Sequence, residues 1–134
     1  MLAETVGLVE AFDVLGDPVR RRILELLADG DVAAGVVVDA VGREFGITQP
    51  AVSQHLRVLR ESGFATVRPE GTRRLYSVNP APLDMAQEWI TRLRRAWEQR
   101  LDALGTELAR GARQRRTMGN AHTKRSGSTR RTTS

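Results

Sequence analysis

One stretch of this chain indicates its fold most clearly: Phe45-Gly-Ile-Thr-Gln-Pro-Ala-Val-Ser-Gln-His-Leu-Arg-Val-Leu-Arg-Glu-Ser-Gly63. Gly46 permits the positive φ that a tight turn between helices needs. Thr48 can accept a hydrogen bond from a backbone N–H of the next helical turn, which is the N-cap role. Pro50 is suited to that first turn, where its missing N–H is not needed. The first part of the stretch therefore predicts a turn that leads into a helix.

The rest of the stretch predicts a helix with two distinct faces. Val52, Leu56 and Leu59 recur at three- and four-residue spacing and are expected to face the core. Gly63 is typical of the residue that ends a helix. The other face carries side chains that do not require burial, namely Gln49, Pro50, Ser53, Gln54 and Arg57. The turn and helix match the second half of a helix-turn-helix, although a surface helix of any small domain has a similar pattern.

A basic hairpin follows this helix. Residues 64–68 and 73–78 have strand composition, and residues 69–72 (Pro-Glu-Gly-Thr) have turn composition. A helix-turn-helix followed by a hairpin is a winged helix, whose second helix enters the major groove while the hairpin lies along the backbone or minor groove. Residues 47–76 hold five Arg and two Glu, a charge of +3, as a phosphate-binding surface requires.

Three motifs resemble those of the ArsR/SmtB family of bacterial winged-helix repressors. They are Leu15-Gly-Asp-Pro-Val-Arg-Arg-Arg-Ile-Leu24, Pro50-Ala-Val-Ser-Gln-His-Leu-Arg-Val-Leu-Arg60 and Gly71-Thr-Arg-Arg-Leu-Tyr76. The resemblance covers residues 12–80 and implies DNA binding, dimerisation and repression by occluding a promoter. The residues themselves leave activation open. Trp89, Trp97 and the sequence at 101–104 resemble a metal-free branch of the family.

Composition limits the possible functions. The chain has 134 residues, enough for one small domain, and it has no cysteine, which excludes disulfides and thiolate metal sites. The longest run of apolar residues and glycine, residues 32–38, is too short to span a membrane. The N-terminus lacks the pattern of a signal peptide. We therefore expect a cytoplasmic protein without a membrane partner.

Charge is distributed unevenly along the chain. Residues 1–110 hold 14 Arg and 16 acidic residues, a balance of −2, whereas residues 111–134 hold six Arg, one Lys and no acid, a balance of +7. The C-terminal residues are Gly, Ser, Thr, Arg and Asn with few apolar side chains, which predicts disorder. The expected division is a folded domain of residues 1–112 and a disordered basic tail of residues 113–134. Such a tail is usually only a solvated end, but it can add non-specific phosphate contacts.

The N-terminal half is expected to contain three helices. The first covers residues 4–15, and the second begins at Asp17-Pro18 and runs to about Ala28. Arg20, Arg21 and Arg22 are either a solvated face or include one phosphate contact at the edge of the footprint. The third is expected over residues 34–45. The run Val36-Val-Val38 disfavours helix, so residues 32–37 could instead contribute a short strand and we assign helix from Val38 to Phe45.

A long final helix is predicted from Leu83 to Arg110. Its apolar residues recur every three or four positions along about 40 Å, more than so small a domain can cover. The fold class is therefore mainly α with a small β-hairpin, a winged helix-turn-helix dimerising through its N- and C-terminal helices. The alternative is that both Trp are intramolecular core. The predicted dimer interface consists of Leu8, Phe12, Trp89, Leu93, Trp97, Leu101 and Leu104.

Neither catalysis nor metal binding is indicated. His55 and Ser53 are two residues apart on a helix and point to different faces, so they cannot form a nucleophile–base pair. As the resemblance implies, metal-sensing members of the family use Cys near the first helix of the helix-turn-helix, or His with Asp or Glu on the last helix. This chain has no Cys, and residues 83–110 contain no His. We expect no enzyme activity, no metal and no cofactor. The effector is unknown, and a small apolar ligand at a Trp89/Trp97 interface is an alternative.

The predicted partner is double-stranded DNA, bound by the second helix and the wing. Gln49, Ser53 and Gln54 are the candidates for base edges, since Gln suits the paired N6 and N7 of adenine. The remaining predicted contacts, mostly to phosphates, are Thr48, Pro50, His55, Arg57, Arg60, Arg73 and Arg74. A winged-helix module that binds protein is the rival interpretation, and the arginines on helix and wing argue against it.

Overall fold

The computed structural model describes the backbone of residues 2–131 and the side chains of residues 7–119. The predicted fold, a mainly helical winged helix-turn-helix, is confirmed. Its elements in chain order are α1 (Leu2–Leu15), α2 (Pro18–Leu27), β1 (Val32–Ala33), α3 (Ala34–Phe45), α4 (Gln49–Glu61), β2 (Ala65–Glu70), β3 (Arg73–Val78) and α5 (Ala81–Arg131).

The start of α2 follows from the two residues that precede and open it. The Asp17 carboxylate accepts hydrogen bonds from the backbone N–H groups of Val19 at 2.8 Å and Arg20 at 3.3 Å. Pro18 lies in the first turn, where its lack of an N–H costs nothing. The predicted cap at Asp17 and the predicted start at Pro18 are both confirmed.

The region before the helix-turn-helix combines the two predicted alternatives. Val32 and Ala33 form the short strand β1, which pairs with Tyr76 and Leu75 of β3. Helix α3 then begins at Ala34, so the predicted start at Val38 is wrong. The β-branched run disfavours helix only weakly, and complete burial of Val37 outweighs that preference.

The sheet is antiparallel and has the strand order β1-β3-β2. Strand β2 runs to Glu70, so the predicted four-residue turn at 69–72 shortens to Gly71 and Thr72. Gly71 has a φ of 61°, which allows the chain to reverse there. Pro69 is tolerated inside β2 because β2 is an edge strand of this sheet.

The chain forms two compact units, Met1–Ile90 and Thr91–Ser134. The first contains the winged helix and its core. Its largest fully buried side chains come from α2, α3, α4 and the residue that precedes β2. They are Ile23, Val37, Val41, Val52, Leu59 and Phe64.

Helix α5 continues through Arg131, beyond the end near Arg110 that the composition predicts. A helix satisfies its backbone hydrogen bonds internally, so it can continue where side chains are not buried. Residues 113–119 are all exposed. The division into a domain of residues 1–112 and a disordered tail of residues 113–134 stays a prediction, and residues 132–134 lie outside the described residues.

Candidate nucleic-acid interface

A sharp turn between α3 and α4 sets the direction of α4. Gly46 follows α3 with a φ of 64° and a ψ of 35°, the left-handed conformation predicted for it. Thr48 is extended, and its Oγ1 accepts a hydrogen bond from the backbone N–H of Ala51 at 3.3 Å. Pro50 lies in the first turn of α4. The predicted conformation of Gly46 and the predicted roles of Thr48 and Pro50 are therefore confirmed.

The inner face of α4 anchors the helix in the core. Val52 and Leu59 are completely buried, and Leu56 is nearly so. At the C-terminal end the backbone N–H of Phe64 donates to the carbonyl of Leu59 at 2.9 Å. Gly63 makes this closure possible with a φ of 81°. The helix is thus fixed along one face and at both ends, and its other face is free to contact a partner.

The outer face of α4 is exposed to solvent. Among the described residues, the side chains of Gln49, Ser53 and Gln54 have no hydrogen-bond partner. Two amides and a hydroxyl are therefore available for hydrogen bonds to another molecule. The exposed residues of this face include most of those predicted from the sequence, namely Gln49, Pro50, Ser53, Gln54, Arg57 and Arg60.

Arg57 already has an anionic partner on this face. Its Nε donates to Oε1 of Glu61 at 3.0 Å, one helical turn further on. Both side chains are more than half exposed, so water screens the ion pair strongly. Arg57 can therefore exchange Glu61 for a phosphate at little cost. The i, i+4 spacing of Arg57 and Glu61 predicts this ion pair, but the sequence reasoning above missed it.

His55 is placed differently from the residues of the exposed face. It is half-buried, and its Nδ1 is enclosed without a hydrogen-bond partner among the described residues. Burial alone would raise the pKa of Asp17. Backbone hydrogen bonds from Arg20 and Val19, together with electrostatic interactions with His55 and Arg20, outweigh burial, so the pKa is lowered. His55 thus lies close to the start of α2, and its predicted phosphate contact stays a prediction.

The wing presents two arginines beside its turn. Arg73 and Arg74 open β3 and pair in register with Glu70 and Pro69 of β2. Both arginines are exposed, and neither forms an ion pair with any described residue. Their positive charge is therefore available to phosphate groups, as the sequence predicts.

Arg68, which the sequence counts with the basic patch, is already engaged. Its Nε and Nη2 donate to Oδ2 of Asp31 at 3.2 and 3.0 Å, and its Nη1 lies 3.9 Å from Oε2 of Glu70. Asp31 also accepts a hydrogen bond from Oγ of Ser77 at 2.6 Å. Sequence reasoning missed Asp31, because no local pattern joins residues that lie so far apart along the chain.

The arginines at the start of α2 serve the fold. Arg20 donates to the carbonyls of Val14 and Asp13 at 3.0 and 2.9 Å, and Arg21 donates to the carbonyl of Leu15 at 2.8 Å. These bonds satisfy carbonyls at the end of α1, which a helix leaves without internal partners. Arg22 instead pairs with Glu25 of α2 and Glu44 of α3. All three have partners within the chain.

Comparison with known proteins assigns the chain to a family. Residues 15–68 match the model of a helix-turn-helix domain. An HTH-type transcriptional regulator of Mycobacterium tuberculosis, Rv2034, is 37% identical over 102 residues, which cover 72% of this chain and 91% of that protein. The homodimeric winged-helix DNA-binding domain of Mb0332 from Mycobacterium bovis, described as a possible ArsR-family regulator, superposes with a TM-score of 0.53 at 28% identity. The alignment covers 73% of this chain and 85% of that one.

This chain belongs to the ArsR family of winged-helix transcriptional regulators. A further relative is the transcriptional repressor SdpR of Bacillus subtilis, 33% identical over 79 residues, which cover 59% of this chain and 83% of that protein. Family membership makes the chain a DNA-binding transcriptional regulator and not an enzyme. Helix α4 occupies the position of the recognition helix of a helix-turn-helix domain, which lies in the major groove in DNA complexes of such domains.

The first unit of this ArsR-family chain exposes apolar side chains on α1 and at the start of α5. The rings of Phe12 and Trp89 meet edge to face with centroids 5.5 Å apart. Even so, 37% of Phe12 and 39% of Trp89 remain exposed, beside exposed Val9 and Ile90. Leu8 is half-buried. Trp89 is thus neither wholly core nor wholly surface, and its predicted place in a dimer interface stays a prediction.

The second unit exposes an apolar stripe along α5. Its members recur every three or four residues, and 47–69% of each remains exposed. They are Leu93, Trp97, Leu101, Leu104 and Leu108. The first four are the remaining predicted interface residues. So long a row of large apolar side chains on one helix face is unusual for a surface without a partner.

Among the residues that the structure describes, no group of three His, Cys, Asp or Glu side chains is placed to hold a metal ion. No helix in the described part of the chain is long and apolar enough to cross a membrane.

Proposed function

We propose that two copies of this chain bind a near-palindromic operator and repress transcription by occluding a promoter. Each copy inserts α4 into the major groove and lays its wing along the adjacent backbone. The observation that carries the proposal is the outer face of α4, whose exposed polar side chains have no partner among the described residues, on a helix whose inner face is buried. An α-helix with its side chains is about 10–12 Å wide, and the major groove of B-DNA is about 12 Å wide.

Gln49, Ser53 and Gln54 read the bases. A glutamine amide carries both a donor and an acceptor, so it pairs with N7 and N6 of adenine. A serine hydroxyl can act as either donor or acceptor. Their side chains are exposed and have no partner among the described residues, so no hydrogen bond within that part of the chain has to break first. Each good bidentate contact contributes about 1–3 kcal/mol of discrimination against the wrong base.

The arginines of helix and wing hold the phosphates. Arg60, Arg73 and Arg74 have no ion pair among the described residues, and Arg57 can leave its exposed partner Glu61. Such contacts fix the register of the protein on DNA and make binding depend on salt. Thr48, Pro50 and His55 complete the proposed contact surface near the start and middle of α4.

Dimerisation brings two reading helices to one site. A single small reading head makes few base contacts, whereas a two-fold pair engages two half-sites about 34–36 Å apart. Within the first unit, the apolar surface left by Phe12 and Trp89 supports pairing. The related domain from Mycobacterium bovis is described as homodimeric, which supports the same assembly here.

The stripe of the second unit supports a helix-to-helix contact between copies. From Leu93 to Leu104 and from Trp97 to Leu108 the apolar pattern repeats after 11 residues. An 11-residue repeat corresponds to about 3.67 residues per turn, close to the 3.6 of an unstrained helix. Two such helices can pair along the stripe with a shallow right-handed supercoil.

The proposal includes no metal or cofactor. The chain has no cysteine, and residues 83–110 contain no histidine, so the side chains that bind transition metals most readily are missing there. This agrees with the metal-free branch that the sequence resembles. The DNA target implies that the protein acts in the cytoplasm.

Substitution of Gln54 by alanine tests base reading. We expect Gln54→Ala to weaken binding to a duplex enriched from random sequence by the unmodified protein, and to lower its preference over unrelated DNA by about 1–3 kcal/mol. Gln87→Ala is the control, because Gln87 is an exposed glutamine on another helix of the same unit. An unchanged ratio of the two affinities in Gln54→Ala would refute the assignment of Gln54 to a base.

A further inference from the structure

We infer that Asp31 is a positioning residue for the wing: it joins both wing strands to the body of the domain and so holds Arg73 and Arg74 in place for phosphates. The inference rests on the proposed function, because it names a residue that acts on DNA only through the wing. Asp31 lies in the connection between α2 and β1, outside the helix-turn-helix and outside the hairpin.

The carboxylate of Asp31 contacts each strand of the wing separately. Oδ2 accepts two hydrogen bonds from Arg68 of β2, from Nε at 3.2 Å and Nη2 at 3.0 Å. Oδ1 accepts one from Oγ of Ser77 of β3 at 2.6 Å. The hydrogen bond from Ser77, followed by that from Arg68 and its charge, lowers the pKa of Asp31, so the group is ionised at neutral pH.

Within the sheet, the ladder that attaches the hairpin to the body is short. The only strand that links the hairpin to the body in the described sheet is β1, which has two residues. Its ladder with β3 pairs Val32 with Tyr76 and Ala33 with Leu75. In an antiparallel ladder the next position would place Asp31 opposite Ser77. The backbone pairing ends at Val32, and the side chain of Asp31 provides the next contacts instead. These contacts join the body of the domain to β3 and, beyond it, to β2.

The alternative is that Arg68 itself binds DNA phosphate, and that Asp31 only pairs with Arg68 while DNA is absent. The two interpretations predict opposite effects of Asp31→Asn. Removing a negative charge and releasing Arg68 would strengthen DNA binding through electrostatics alone. Loss of wing position would weaken DNA binding even though the protein becomes one charge more positive. The sign of the change therefore decides between them.

The test measures binding of Asp31→Asn to a labelled duplex enriched from random sequence by the unmodified protein, over a range of salt concentrations. We expect affinity about threefold to tenfold lower and a shallower dependence of log affinity on log salt, as for a lost phosphate contact. Asp29→Asn is the matched control: it makes the same charge change in the same connection, and Asp29 has no ion pair or hydrogen bond from its side chain among the described residues. It should bind as tightly as the unmodified chain or slightly more tightly.

A second variant and a second readout separate positioning from general loss of stability. Ser77→Ala removes one of the contacts of Asp31 without changing charge, and it should weaken binding by a smaller factor. Amide hydrogen exchange of the DNA-free proteins should be faster in residues 66–76 of both variants and unchanged in α3 and α4. If Asp31→Asn does not fold, Ser77→Ala decides the question.

The outcomes distinguish this inference from the proposed function. Equal or tighter DNA binding by Asp31→Asn and Ser77→Ala, with unchanged exchange in the wing, would overturn the role of Asp31 alone. Absence of salt-dependent duplex binding by the unmodified chain would refute the proposed function, and with it the positioning role.

Discussion

The apolar stripe on the second unit gives the most quantitative prediction. The perturbation is Leu93→Glu combined with Leu101→Glu, which places charges on the stripe and leaves α4 and the wing unchanged. In the unmodified chain 54% of Leu93 and 47% of Leu101 remain exposed. Pairing of two copies would therefore bury about half of each side chain.

The expected loss follows from that exposure. Full burial of a leucine stabilises by about 1.5–3 kcal/mol, so half of it contributes about 0.8–1.5 kcal/mol. Two positions in each of two copies then contribute about 3–6 kcal/mol to association. This corresponds to a dimer dissociation constant about a hundredfold to ten-thousandfold higher, before any cost of desolvating the new carboxylates.

Sedimentation across a range of protein concentrations measures this change, and DNA binding should fall with the loss of the dimer. The control is Gln99→Glu with Ala103→Glu, which adds the same two charges at exposed positions away from the stripe. If the stripe variant dimerises as strongly as this control, or if the unmodified chain sediments as a monomer while binding its operator, the stripe does not hold a dimer.

Three further predictions test other parts of the molecule. Arg74→Ala should weaken binding to all DNA and lower the slope of log affinity against log salt by about 1 per subunit, whereas an unchanged slope would show that this wing residue does not touch phosphate. Asp17→Ala should destabilise the domain by about 0.5–2 kcal/mol through loss of the cap of α2. Because the pKa of Asp17 is lowered on folding from its usual 3.8, this stabilisation is present above about pH 3.8 and disappears as pH falls through the folded-state pKa. Thermal unfolding should show a larger deficit at pH 7 than in acid, and an equal deficit in acid would contradict the assignment. Deletion of residues 113–134 removes six Arg and one Lys and should leave the unfolding temperature unchanged while weakening non-specific binding at low salt. A large fall in the unfolding temperature would show that these residues contribute to the fold.

The helix-turn-helix could be predicted because its signals are local. Gly46, Thr48 and Pro50 determine the turn through backbone conformation and one hydrogen bond, and the spacing of Val52, Leu56 and Leu59 determines the buried face. Each signal depends on residues within one or two helical turns. The structure confirms these local signals: the conformation of Gly46, the cap at Thr48, the place of Pro50 and the buried face of α4.

The start of α3 was not predictable from local preference. The run of three valines disfavours helix, yet the structure begins the helix at Ala34. Burial of Val37 against the rest of the core decides the conformation, and that contact depends on residues distant in sequence. Local propensity is weak where tertiary packing opposes it.

The long-range ion-pair partners of individual arginines were also not predictable from the sequence. A charge count places Arg57, Arg68, Arg73 and Arg74 in one basic surface. The structure leaves the last two without an ion pair among the described residues and joins Arg68 to Asp31, 37 positions away in sequence. Such pairings depend on how β1 meets the hairpin, which no short motif encodes.

We propose that this chain reads DNA as a two-fold dimer, which should select a DNA sequence of the same symmetry. The measurement is enrichment of duplexes from a random-sequence pool by the purified full chain, followed by sequencing. We predict two inverted half-sites whose centres are about 10–10.5 base pairs, or a multiple of that distance, apart. Failure to enrich any sequence, or enrichment of a single half-site without an inverted partner, would contradict it.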